Sequence, residues 1–416
     1  MRSTGRIARS AVAAFAIGFA ALGAPLTRGE DWPRWRGPRG DGISTETGLL
    51  QSWPQSFRPM WTADVGQGYS SPVAQAGRVY LFSLIDRKDT LTCYDATKGN
   101  VIWSKTYDGG WTGSYPGTRA TPHIEGKRIY TYGGAGDLVA RDLASGDQLW
   151  RVNVLRETRA RPLGWAQASN PLIVGDIIYV QNGAGGSVAV GVNKNSGKLV
   201  WRSQATGNGS YAHPILADVG GTKQLIIYAA VGPIGINPAN GRTIWQQRWT
   251  NGPEVNASDP IYRDGHLFVT SAYGQGALML QLSPNGGAKK LWEMSDLESR
   301  FQPALLDGEF LYVNSEGTLK CLKWPTNKIA WTTRNDDRNL LGLGGSMLRV
   351  DGDKLILLSQ SGRLSLAKAT PQGFERISSV PDVVEGGEVW ATPAIHDGKL
   401  YVKGERELVC VDIKAK

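Results

Sequence analysis

The segment Asp142-Leu-Ala-Ser-Gly146-Asp-Gln-Leu-Trp150 sets an Asx residue, a glycine and a tryptophan four residues apart. The same spacing recurs at Asp95, Gly99 and Trp103, at Asn193, Gly197 and Trp201, and at Asn237, Gly241 and Trp245. A short Asx side chain bonds the backbone ahead of it, and glycine takes the left-handed position of a tight turn. The tryptophan then falls on the returning strand. Weaker copies follow. Trp331 has Asn327 in the glycine place, Trp292 follows a one-residue insertion, and the next unit has Phe374 and Ile377 where a tryptophan is due.

Upstream of each such segment lies a proline-led apolar hairpin. The prolines are Pro72, Pro122, Pro171, Pro214, Pro260, Pro303 and Pro393, and a further unit begins near Ser346. The seven steps from Pro72 to Pro393 average about 46 residues, within the range of a four-stranded propeller blade. Turns such as Asp264-Gly265, Asp307-Gly308, Asp351-Gly352 and Asp397-Gly398 suit hairpins that need positive φ. The pattern predicts an all-β protein, an eight-bladed β-propeller of four-stranded antiparallel blades. The last unit reaches Asp412 without its tryptophan. The strand around Trp61, within Arg58–Val65, is therefore expected to complete the last blade and close the ring.

One large flat side chain per unit, always at one position, is expected to pack blade on blade. The structural set is Trp61, Trp103, Trp150, Trp201, Trp245, Trp292 and Trp331. Burying each contributes on the order of 2–3 kcal/mol. Cys93, Cys321 and Cys410 sit two residues before the Asx position or its equivalent, where other units carry Ala140, Gly191 and Gly235. They are read as small core residues rather than redox or metal groups.

Residues 1–24 read as a signal peptide. Arg2, Arg6 and Arg9 precede an apolar stretch, Ala11 to Ala24, that is too short to span a bilayer. No cysteine precedes Cys93, so no lipid anchor is expected. An N-terminal extension, 25–57, leads into the propeller at 58–416. The chain is expected to be exported, to the periplasm or beyond the cell, and not to span the membrane. The formal charge of +9 is spread along the chain. That pattern argues against nucleic acid.

The repeats resemble the PQQ-like repeat family, the quinoprotein alcohol dehydrogenase-like propellers, over nearly all of residues 59–413. The resemblance is read toward the BamB-like, non-catalytic branch. The opening Asp31-Trp-Pro-Arg-Trp-Arg-Gly-Pro-Arg-Gly-Asp-Gly42 is similar to the start of mature secreted members. In the dehydrogenase branch the resemblance implies PQQ, calcium held by carboxylate and amide side chains, an aspartate base and often two adjacent cysteines. No two cysteines are adjacent here, and Asn170, Glu254, Asn256, Asp259 and Arg300 have no spacing that marks them as ligands. No cofactor, metal or catalytic residue is expected; PQQ and calcium enter by family analogy alone.

Two long Gly/Pro-rich loops put aromatic residues beside arginine: Trp111, Tyr115 and Arg119 in one, Trp165 and Gln167 in the next. Loops on a rigid scaffold are where binding residues concentrate. With Trp390 and the residues beside the blade-opening prolines (Asn170, Tyr211, His213, Asp259, Arg300 and Gln302), they form the candidate ligand set, over the channel mouth. The expected function is an exported, non-catalytic binding or scaffold module for a protein or glycan partner. The alternative is a PQQ-dependent dehydrogenase of alcohols or sugars.

Overall fold

The computed structural model describes Met1 and residues 29–415; apart from Met1, the predicted signal peptide lies outside the described residues. Eight four-stranded antiparallel sheets form the propeller. Blades 1 to 7 take residues 73–108, 123–153, 172–202, 215–246, 261–294, 305–332 and 346–380 in chain order. Blade 8 takes 394–412 and adds Trp61–Asp64 as its outermost strand, with Trp61 opposite Cys410. The ring thus closes as the sequence predicts. The buried apolar side chains form clusters that each join adjacent blades, such as Val73, Phe82 and Trp103 of blade 1 with Ile129 and Val139 of blade 2.

The repeat spacing has a geometric cause. Trp150 of blade 2 lies over Gly197 of blade 3 and donates its indole N–H to the Lys194 carbonyl at 2.9 Å. Trp61 reaches Gly99 and the Ala96 carbonyl in the same way, and Trp201 reaches Gly241 and the Pro238 carbonyl. Trp103 stacks over Gly146 without an indole hydrogen bond. Trp292 and Trp331 donate to Pro325 and Thr370 of their next blades, whereas Trp245 donates to Gln224 of its own. The motif glycines Gly99, Gly146, Gly197 and Gly241 therefore each receive the tryptophan of the blade before, and every motif tryptophan except Trp245 reaches the following blade with its ring or its indole N–H.

The small-residue slot lies beneath the same ring. Trp103 stands opposite Cys93, Trp150 opposite Ala140, Trp201 opposite Gly191 and Trp331 opposite Cys321 across the strands. At Gly235 a Cβ would come within 2.2 Å of the Trp245 indole nitrogen. All three cysteines are free and buried, and burial pushes the Cys93 thiol up to about 11. At the blade 7–8 seam, where no tryptophan is available from blade 7, Trp53 of the N-terminal extension fills the cluster. Its amide donates to Ser378 Oγ at 2.7 Å.

The rest of the extension enters the central channel. His396 Nδ1 meets the Glu30 carbonyl, and the Asp397 and Gly398 amides meet the Glu46 carboxylate; all three lie at the first hairpin turn of blade 8. Between these anchors the chain runs up the channel. It bridges Trp32 to Ala74 of blade 1, Pro33 to Ile124 of blade 2, Arg36 to Ala304 before blade 6, and Ser44 to Arg349 of blade 7. Residues 30–46 are a re-entrant plug.

Replacing Trp150 by alanine should lower stability by about 3–5 kcal/mol. Gly197→Ala should also destabilise, since φ is +70° and a Cβ would lie 2.7 Å from the Trp150 ring. In denaturant titrations the glycine substitution should cost less in the Trp150→Ala background than in the wild type. Strict additivity would show that ring and glycine are energetically independent.

Candidate functional site

On the face where blades open, one residue per blade converges. These residues stand three places before each opening proline, or before Ser346 in blade 7: Tyr69, Arg119, Ala168, Tyr211, Ala257, Arg300, Leu343 and Trp390. All eight line a single pocket of about 390 Å³ over the channel mouth. The volume is within the range of small-ligand and side-chain pockets.

The residues immediately before the blade openings tie the ring together beneath it. The Ser71 amide donates to Thr121 Oγ1 at 3.1 Å, Thr121 to Asn170 Oδ1 at 2.5 Å, His213 to Asp259 Oδ1 at 2.7 Å, and Thr392 to Ser71 Oγ at 2.8 Å. In each case one blade's amide donates to the side chain of the next. Gln302 closes another gap, donating to the Trp390 carbonyl at 2.7 Å and accepting from Thr392 Oγ1.

The plug supplies the floor. Trp35 lines the pocket, and its indole N–H donates to Asp259 Oδ2 at 2.6 Å. Burial pushes the Asp259 carboxyl up to about 6, against the N–H bonds from His213 and Trp35 and the nearby Arg36. His123 and His213 face the channel with Nδ1 on the Pro171 and Asn170 carbonyls. Burial, reinforced by Arg34, holds them neutral, with His123 near 4 and His213 near 3.

The walls are mainly aromatic. Trp390 packs 4.8 Å from both Tyr69 and Phe301 and 5.3 Å from Tyr115. Opposite, Trp165 meets Tyr211 at 6.1 Å. Arg300 makes a two-pronged contact with Glu316 and lies over the Tyr273 ring. Arg119 donates to the Ser114, Tyr115 and Gly117 carbonyls of its own loop.

Of the twelve sequence candidates, Tyr115, Arg119, Trp165, Asn170, Tyr211, Asp259, Arg300, Gln302 and Trp390 line this pocket. Three do not. Trp111 bonds the Ser114 carbonyl and shapes its loop. Gln167 is buried, bridging the Leu163 amide and the Tyr132 hydroxyl. His213 lies below, in the channel. Sequence reasoning missed Trp35, Tyr69, Tyr273, Phe301 and Glu388. Tyr69 was findable, since it holds the same register before Pro72 as Tyr211 before Pro214. Trp35 carried no such signal, because it comes from outside the repeats.

The family described as outer membrane protein assembly factor BamB matches the chain in three overlapping stretches, residues 51–222, 111–333 and 234–416. Outer membrane protein assembly factor BamB of Shewanella oneidensis is 24% identical over 369 residues, 76% of this chain and 89% of that protein. The crystal structure of BamB from Moraxella catarrhalis superposes with a TM-score of 0.61 at 17% identity, covering 86% of this chain and 98% of that one. Quinohemoprotein alcohol dehydrogenase from Comamonas testosteroni superposes with a TM-score of 0.67 at 14% identity, covering 94% and 82%. At these identities the two structures share the fold with this chain.

A quinone site of the dehydrogenase kind needs calcium, which takes six to eight oxygen ligands. Here both Asp259 oxygens accept N–H bonds, Asn170 Oδ1 accepts from Thr121, and Gln302 Oε1 accepts from Thr392. Trp35 stands beneath the pocket, and buried Arg36 lies close enough to oppose a cation at Asp259. Among the described residues no cluster of three or more His, Cys, Asp or Glu is placed to hold a metal ion. This donor set does not fit calcium.

Asp259 should make folding pH-dependent. Its folded value, about 6, lies above the ordinary 3.8, so the fold favours the protonated acid. The corresponding stability is full below pH 4, is lost as pH rises to about 6, and is flat above. His123 and His213 act in the opposite sense, their depressed values costing stability as pH falls below 6.5. They are common to wild type and Asp259→Asn. The stability difference between those two proteins should therefore move by roughly 2–3 kcal/mol in favour of the variant between pH 4 and 7. A difference independent of pH would place the Asp259 titration elsewhere.

Proposed function

The chain belongs to the family described as outer membrane protein assembly factor BamB, and from that premise we propose that it is an exported, non-catalytic propeller holding a protein partner of the cell envelope in the pocket over its channel mouth. The carrying observation is the convergence of one residue from each of eight blades on a single aromatic pocket. Aromatic and arginine side chains in concave, rigidly backed positions are the usual anchors of protein interfaces. Tyr115 and Trp165 stand at the rim, 42% and 39% exposed. Rings of this size left to solvent are ready to be covered. The hydrogen-bonded belt beneath fixes the loops, so little ordering is needed on binding.

The family's name describes assembly of other proteins, which supports a holding role in the periplasm. No helix among the described residues is long and apolar enough to cross a membrane. A photo-crosslinking residue at Tyr115 or Trp165 should give one adduct to an envelope protein, identified by mass spectrometry. The same residue at Asn195, in a blade turn on the opposite face, should give none. Trp165→Ala should weaken binding of the identified partner about tenfold or more. Equal labelling from both faces would move the interface. Turnover of alcohols after reconstitution with PQQ and calcium would overturn the non-catalytic reading.

A further inference from the structure

The charges around the pocket cancel in pairs, with one exception inside. Asp259 faces Arg36 of the plug. Arg300 is bound by Glu316 through two nitrogens at 3.2 and 3.0 Å. Arg119 alone among the described lining residues carries a positive charge with no ion pair. It is half-buried, 5.7 Å from the Tyr69 ring centroid, and its titratable neighbours are the neutral tyrosines Tyr69 and Tyr211. A guanidinium has five N–H donors. Loop carbonyls take three here, which leaves two for a ligand.

The walls on either side of Arg119 differ. On one side Tyr69, Tyr115, Phe301 and Trp390 form a continuous aromatic surface. On the other, the ring positions of blades 3 and 5 are Ala168 and Ala257, which leave open space. Glu388, the remaining carboxylate, is exposed at the rim and accepts from the Tyr69 hydroxyl at 3.4 Å.

Resting on the protein-binding reading above, we infer that the pocket receives an extended segment of the partner that carries one carboxylate beside an apolar or aromatic side chain. The carboxylate meets Arg119, and the neighbouring side chain lies against the aromatic wall. A charge-assisted contact to a half-desolvated guanidinium is stronger than one in open solvent. Glu388 limits the acidity the pocket tolerates, because a second carboxylate in the segment would come up against it. A sugar acid fits less well. Its hydroxyls need polar partners, and of those on the wall the Gln302 amide is engaged at both ends and Asn170 Oδ1 accepts from Thr121.

Labelled, end-blocked peptides containing Phe-Asp or Phe-Asn, titrated into the intact protein by fluorescence anisotropy, test this. The Asp peptide should bind at least about tenfold more tightly than its Asn counterpart. That preference should shrink to near unity in Arg119→Gln and survive in part in Arg119→Lys, with circular dichroism confirming that both variants fold. Glu388→Gln should tighten the Asp peptide about two- to threefold. Equal binding of the two peptides, no binding of any acidic peptide, or binding of trigalacturonate in place of the peptides would each overturn the inference. If the Tyr115 crosslink to an envelope protein persists in those cases, only the acidic-segment inference falls. If that crosslink is absent as well, the protein-binding reading falls with it.

Discussion

Everything in this molecule depends on one contact, a tryptophan ring laid on the left-handed glycine of the next blade's turn. No strand ladder joins one blade to the next; apart from a few loop contacts such as the Gln204 amide on the Gly241 carbonyl, the seams are held by side chains. The indole does this twice over, by covering apolar surface and by donating its N–H to a turn carbonyl of the next blade, as Trp150 does to Lys194. The receiving position must be glycine for two independent reasons, a positive φ and a ring in van der Waals contact, and Gly197 meets both. From Trp61 of blade 8 through Trp103, Trp150 and Trp201 the contact passes from each blade to the next, and Trp292 and Trp331 continue it by donating to turn carbonyls of blades 6 and 7. Where blade 7 breaks the chain, Trp53 restores a ring from outside the repeats.

A closed ring held in this way fixes eight loops at one radius. The residues just before each blade then bond the next blade in a constant sense, from Ser71 to Thr121 to Asn170. One layer above, eight side chains face one space. Loop residues from Tyr69 to Trp390 thereby become neighbours, and the chemistry of the pocket is set by which side chain each blade happens to carry there. Tyrosine, arginine and tryptophan on one side and alanines at blades 3 and 5 make the space asymmetric.

The plug changes what the channel can do. With residues 30–46 inside, the channel is a blind pocket with Trp35 as floor. Asp259 serves two structures at once, accepting from His213 in the belt and from Trp35 in the plug. That double duty gives each Asp259 oxygen one N–H donor. The pocket above the plug is an aromatic and guanidinium surface.

The repeat was legible because it is local. An Asx turn, a left-handed glycine and a strand tryptophan lie within nine residues, and their physics is that of a single hairpin. Closure through Trp61 followed from counting strands. The sequence also named nine of the residues that line the pocket, because the blade-opening register marks where loops meet the channel. It did not separate Trp111 and Gln167, which brace their loops, from Trp165 and Arg119, which line the pocket; that difference is one of side-chain direction. Nor did it show the role of residues 30–46. Their partners, from Ala74 to Arg349, are hundreds of residues apart in the chain and become one wall only when the ring closes. Spacing within a hairpin is written in the sequence, whereas convergence on an axis exists only once all eight blades are in place.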